Sequence, residues 1–249
     1  MYSPLEQFII ISLFTFYDNI IDFSVTSITV MALLCILVIL LMTLSIFTLG
    51  RFNVPNKWQF LFEGIYSMCI ELIYDILGIK GEKYFPFIFS TFLIILLLNS
   101  LGLIPYSFTV TSQLATTLVF AYMIFIGVLI IGIHAHGFNF MGMFLPAGTS
   151  LALSFLLVPV ELLSYFFKPV SLGVRLFANL MAGHTLLKVI IGFSWAMLGI
   201  GGIFLIIYLI PLSAIVVLFI LETAVSIIQA YVFTILTTIY LNDAISLSH

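Results

Sequence analysis

From residue 84 to residue 160 this chain carries no Asp, Glu, Lys or Arg. A soluble domain keeps about 25% charged residues to face water; this chain of 249 residues has 7%, against 63% hydrophobic. Its mean hydropathy is +1.35. Most of its surface must therefore be solvated by lipid or by other apolar protein. The length is better divided by the ~20 residues of a spanning helix than by the size of a soluble domain. The expected fold is an all-α integral membrane protein.

Other classes are poorly served by this composition. A net charge of −3 with no Lys/Arg cluster offers nothing to track a nucleic acid backbone. Cys35 and Cys69 lie in apolar or amphipathic runs without C-x-x-C spacing and read as buried thiols. No G-x-x-x-x-G-K-[ST] phosphate loop is present. The N-terminus has neither a signal-peptide pattern nor an Arg-rich transit pattern. It implies insertion from the protein's own compartment, or prior processing.

Along the chain, residues 1–24 hold acids but no base, and an uncharged run at 25–49 is long enough to span. Residues 51–83 hold four of the seven basic residues, with Ile65, Met68, Leu72 and Ile76 at helical spacing. That predicts an amphipathic helix over 58–78 along the membrane surface, ended by Gly78 and Gly81. Spanning helices are expected at 87–104 and 114–133, separated by a turn around Pro105, and a Gly/Pro-rich loop at 134–149. Two long helices follow at 151–191 and 203–241, which must tilt or kink; Pro159, Pro169 and Pro211 are candidate kink points. The whole is one membrane domain. The basic residues of 51–83 place that segment inside, hence the N-terminus outside and the C-terminus inside.

The ionisable residues inside the last two helices are Glu161, Lys168, Arg175, His184, Lys188 and Glu222. A charge at the bilayer centre costs roughly 2.5–3.5 kcal/mol on the lenient scale, so such groups face a partner or a wet cavity. Glu161, Lys168 and Arg175 are seven apart and share a helix face, with Asn179 on the same side. His184 falls about half a turn round from Arg175 and ~13 Å further along. Glu222 and Gln229 share a face of the last helix. A guanidinium keeps its proton, favours the ionised form of a nearby carboxylate and blocks a hopping proton. His184 and Glu222 can exchange protons if their surroundings tune them. The set suits proton passage better than binding of an organic substrate.

Plainer readings stand beside these. Arg175 and Glu161, ~21 Å apart on one helix, cannot pair with each other. Lys168 and Lys188 read as anchors snorkelling towards the interface. Asn179 and Gln229 can be polar glue between helices. His134 and His136 lack a third metal ligand nearby and read as interfacial loop; no metal or cofactor is expected. Gly173, Ala178, Ala182 and Gly183 mark either packing within the chain or a surface passed closely by another helix.

The segment S-L-G-V-R-L-F-A-N-L-M-A-G-H at 171–184 resembles the signature of the F-type ATP synthase subunit a family. P-V-E-L-L-S-Y-F-F-K-P at 159–169, I-Q-A-Y-V-F-T-I-L-T-T-I-Y-L-N-D-A at 228–244, N-S-L-G-L-I-P-Y-S-F-T-V-T-S at 99–112 and L-P-A-G-T at 145–149 fit as well. S-P-L-E-Q-F at 3–8 looks like the start of mitochondrial members of fungal or plant type, and the resemblance covers nearly the whole chain.

The resemblance implies a non-catalytic, proton-translocating stator subunit. In it Arg175 faces the proton-carrying carboxylates of a rotating ring of c subunits. His184 and Glu222 would form the inlet from the outer side, with Asn99 a further polar inlet position. Asn179 and Gln229 would surround the arginine, and Glu161 would belong to the inner half-channel. Implied partners are the c ring, the peripheral stalk and other membrane-sector subunits, with no nucleic acid. The implied location is the mitochondrial inner membrane, or an alphaproteobacterial plasma membrane. Three rivals remain: a secondary transporter, which predicts inverted repeats not found here; a sodium-coupled stator, against which His184 weighs; and a structural scaffold, which gives Arg175 no reason to lie in an apolar helix.

Overall fold

The computed structural model describes residues 8–17, 22–49, 57–104, 107–137, 140, 142, 151–200 and 208–246. The segment 3–7, Arg51, Pro105 and the L-P-A-G-T motif lie outside them. The described residues form six α-helices: α1 (Ser27–Leu49), α2 (Lys57–Leu77), α3 (Phe85–Gly102), α4 (Leu114–His136), α5 (Leu151–Ile200) and α6 (Leu209–Ser246). All but α2 are long and apolar enough to cross a membrane, so the chain is an all-α membrane protein.

One element was not expected. Strands β1 (Ser12–Tyr17) and β2 (Asp22–Thr26) pair antiparallel ahead of α1, with Phe14 opposite Val25 and Tyr17 opposite Asp22. Aromatic and β-branched residues suit these strands, but the segment is short and lacks the Asn-Gly or Asp-Gly turn that announces a hairpin.

Several boundaries also differ. His134 and His136 belong to the last turn of α4, not to a loop. Helix α5 runs to Ile200, beyond the expected end at 191, and stays helical through Pro159 and Pro169. Helix α6 begins at Leu209, not 203, and continues past 241 to Ser246. Pro211 sits in its first turn, where a missing N–H forfeits no helical bond. Composition cannot locate the ends of an apolar run when residues on both sides are equally apolar.

The chain divides into two compact units. The first comprises residues 1–42, 94–114 and 176–230; the second comprises 43–93, 115–175 and 231–249. The second has a core of Ile73, Ile88, Phe125, Val128, Phe140, Tyr165, Leu241 and Ala244. Helix α2 turns Cys69, Leu72 and Ile73 inward and leaves Trp58, Phe60 and Tyr66 exposed, the division its amphipathic spacing requires. It stops at Gly78, whose φ of 63° is left-handed, a conformation glycine adopts without a Cβ clash. In the first unit Cys35 is the buried apolar side chain of α1, while Leu33, Ile36, Leu37, Leu40 and Leu41 face outward. A helix apolar on all sides and exposed in isolation is one made for lipid or for a neighbouring subunit.

Candidate functional site

The first unit contains the least expected feature for an apolar bundle: ionisable and amide side chains packed inside it. Glu222 on α6 is only 5% exposed and Asn99 at the end of α3 is fully buried. His184 on α5 brings Nδ1 to 3.4 Å from Glu222 Oε1. That is ion-pairing reach once the imidazole is protonated, but the two groups are not aligned as a hydrogen bond. Gly183 makes the approach feasible, since a Cβ there would lie 2.9 Å from Glu222 Oε1 and 3.1 Å from its carboxyl carbon.

Asn99 reaches α6 as well, its Nδ2 donating to the Ser226 carbonyl at 3.3 Å. Ser226 is one turn beyond Glu222, ~6 Å along the axis. Asn99 Oδ1, His184 Nε2, both Glu222 carboxylate oxygens and Ser226 Oγ are buried without a hydrogen-bond partner among the described residues. Thr111, in the short 3-10 turn Val110–Ser112 before α4, has a buried, unpartnered hydroxyl too. Leaving such atoms dry costs about 1–3 kcal/mol each, more where charged. A polar group of this kind is normally hydrated. Sequence reasoning singled out His184, Glu222 and Asn99 but missed Ser226. The usable signal was its four-residue spacing from Glu222, which puts both on one face.

Asn179 and Gln229, also in the first unit, are partly buried. Ala178 and Ala182 are exposed. Of the four small residues on α5, the two glycines, Gly173 and Gly183, serve packing within the chain.

In the second unit Arg175 is exposed and Glu161 partly so. Among the described residues the ion pairs are Lys168 with Asp243 and His184 with Glu222, and neither includes Arg175 or Glu161. Gly173 packs on the backbone of α4, where a Cβ would stand 3.0 Å from the Thr117 carbonyl oxygen. Lys168 has partners within the chain. Its Nζ lies 3.4 Å from Asp243 Oδ2 and 5.3 and 5.0 Å from the ring centres of Tyr165 and Tyr240. Asp243 was not recognised from sequence, because only the folded chain brings α6 back beside Lys168. His136 Nε2 stands 2.7 Å from the Ile245 carbonyl oxygen, which gives that histidine a structural partner. No group of three metal-ligating side chains occurs among the described residues.

A separate cavity of about 330 Å³ is lined by Tyr66, Ile70, Ile73, Tyr74, Glu82 and Phe85. Tyr74 donates to the Glu82 carboxylate, which holds its phenol above the ordinary tyrosine range. This cavity contains none of the intramembrane ionisable residues of α5 and α6.

Five spanning-length helices and an acid–histidine pair, its carboxylate buried and its imidazole partly so, define a helical membrane protein built around intramembrane ionisable groups. Comparison with known proteins is specific. The family model of the ATP synthase A chain matches residues 24–242. A protein of Pylaiella littoralis called ATP synthase subunit a is 52% identical over 98% of both chains. That of Chondrus crispus is 47% identical over 98% of this chain and 96% of its own. The bacterium Paramagnetospirillum magneticum has one 41% identical over 98% of this chain and 99% of its own. The chain belongs to the ATP synthase A chain family.

Proposed function

We propose that this chain is the stator subunit of the membrane sector of an F-type ATP synthase, and that it supplies two offset proton half-channels and the arginine between them. A proton entering from the outer side is passed by His184 and Glu222, with Asn99 beside them, to a carboxylate on the c ring. The ring carries it round and releases it to the inner side near Glu161. Arg175 separates the two paths: its guanidinium keeps its charge, so an approaching rotor carboxylate gives up its proton and none passes directly. Asn179 and Gln229 line the surroundings of the arginine. Each charge crossing 100 mV releases ~2.3 kcal/mol, so several protons per turn drive ATP synthesis elsewhere in the complex. This subunit performs no nucleotide chemistry itself.

The observation that carries the reading is the His184–Glu222 pair, its carboxylate buried and its imidazole partly so, with both carboxylate oxygens and His184 Nε2 lacking a hydrogen-bond partner among the described residues. Support also comes from α5, where Ser171, Arg175, Ala178 and Ala182 are exposed at three- and four-residue intervals, small enough around the arginine for a passing helix to approach closely. The partners are then the c ring, the peripheral stalk and other membrane-sector subunits. The membrane is the mitochondrial inner membrane, with the N-terminus on the intermembrane-space side and the C-terminus in the matrix; a bacterial plasma membrane is the alternative. The decisive experiment compares ATP-driven proton pumping and passive leak in vesicles carrying wild type or Arg175→Ala. Lost pumping with persisting ATP hydrolysis, or raised leak, supports the gate; unchanged pumping refutes it.

A further inference from the structure

Helix α6 contains one serine hydroxyl that behaves unlike its other serine and threonine hydroxyls. Ser213, Thr223, Thr234, Thr237, Thr238 and Ser246 each donate to a carbonyl three or four residues back, the usual way a helix silences a hydroxyl in an apolar setting. Ser226 is 1% exposed, yet its Oγ makes no such bond and has no partner among the described residues. Its carbonyl is held by Asn99 Nδ2, and Asn99 Oδ1 is likewise buried and unpartnered. One turn away lies the Glu222 carboxylate, whose oxygens have no hydrogen-bond partner among the described residues.

We propose that Ser226 Oγ and Asn99 Oδ1 together hold the water that delivers a proton to Glu222. This rests on the proton-path reading above and adds to it a residue and a role. A buried water needs two to four polar partners. The amide oxygen offers an acceptor, the hydroxyl a donor or acceptor, and the Glu222 carboxylate a further acceptor. Asn99 holds the carbonyl of the serine's turn of α6, and Glu222 lies one turn back on the same face of that helix. The transfer is balanced. As the water's O–H bond breaks and the proton bonds to a carboxylate oxygen, the water takes a replacement proton from solvent on its far side. Ser226 is a positioning residue, acting through the water and keeping its own proton count unchanged.

The test uses assembled ATP synthase in membrane vesicles, with passive proton conduction under an imposed potential normalised to the amount of complex. Ser226→Ala, which removes Oγ and leaves the carbonyl to Asn99, is expected to lower conduction three- to tenfold. Ser226→Thr, which restores the hydroxyl, should keep at least half the wild-type rate. Conduction by Ser226→Ala equal to wild type overturns the proposal; so does an equal loss in Ser226→Thr, which would mean packing rather than hydroxyl chemistry. Glu222→Gln in the same vesicles separates the two levels. If it conducts normally, the proton-path reading itself fails; if it is blocked while Ser226→Ala conducts fully, only the water-holding role falls. Should Ser226→Ala fail to assemble, Ser226→Cys exposed to a small water-soluble thiol reagent decides: modification supports a hydrated site, and protection overturns it.

Discussion

Glu222 Oε1 and His184 Nδ1 face each other at 3.4 Å from two different helices, and the residue that allows this has no side chain. An added Cβ on Gly183 would intrude to 2.9 Å from that same carboxylate oxygen, closer than real Cβ contacts come. The carboxylate is 5% exposed, and as the far end of its side chain it is the group that must shift to admit a Cβ.

Gly183→Ala should therefore push Glu222 away from His184 and cut proton conduction tenfold or more in assembled complex. Gly192→Ala on the same helix, where a Cβ meets nothing within 4 Å, should conduct as wild type. Conduction assays on both variants check this, and a normal Gly183→Ala would mean that the pair's spacing is immaterial.

The Lys168–Asp243 pair is partly exposed, at 27% and 33%, so its ion-pair coupling should be modest. A double-mutant cycle with Lys168→Met and Asp243→Asn should give about 0.2–1 kcal/mol. Removing Tyr240 with Lys168 present should cost about 0.5–1 kcal/mol more from the lost ring–cation contact. Denaturant titration of the variants measures both; zero coupling would leave the pair without a stabilising part.

Cys69 is 2% exposed on the inward face of α2, and burial pushes its thiol from 9.0 up to about 11. Only the thiolate reacts. At pH 8 its thiolate fraction is thus about a hundredfold below that of an unperturbed thiol. A maleimide should label it slowly at pH 8 and progressively faster as pH rises towards 11. Rapid labelling at pH 8 would show that α2 does not hold this face inward.

The ring centres of Phe125 and Tyr165 lie 4.8 Å apart, tilted by 55°, inside the second unit's core. Phe125→Ala should destabilise the protein by about 3–5 kcal/mol, the range for truncating a buried aromatic. Unfolding in mixed detergent, monitored by proteolysis, reads the loss. A change below 1 kcal/mol would mean that this core carries little of the stability.

The sequence by itself determined the solvent. A charge-free run from 84 to 160 with uninterrupted apolar stretches of about 20 residues points to helices in lipid, and the inward face of α2 followed from its spacing. It also marked Arg175, His184 and Glu222, because an ionisable group deep in an apolar spanning helix is costly. Periodicity separated the directions of Arg175 and His184, and the first is exposed while the second turns to Glu222. Helix ends, the β1–β2 ribbon, and the partners of each polar group were decided only by the tertiary structure. Asp243 and Ser226 look ordinary in the sequence. One becomes the counter-ion of Lys168 and the other the anchor of Asn99 only when distant helices meet. Local spacing fixes the face a side chain occupies on its own helix, whereas contacts between helices depend on packing across gaps of up to 127 residues.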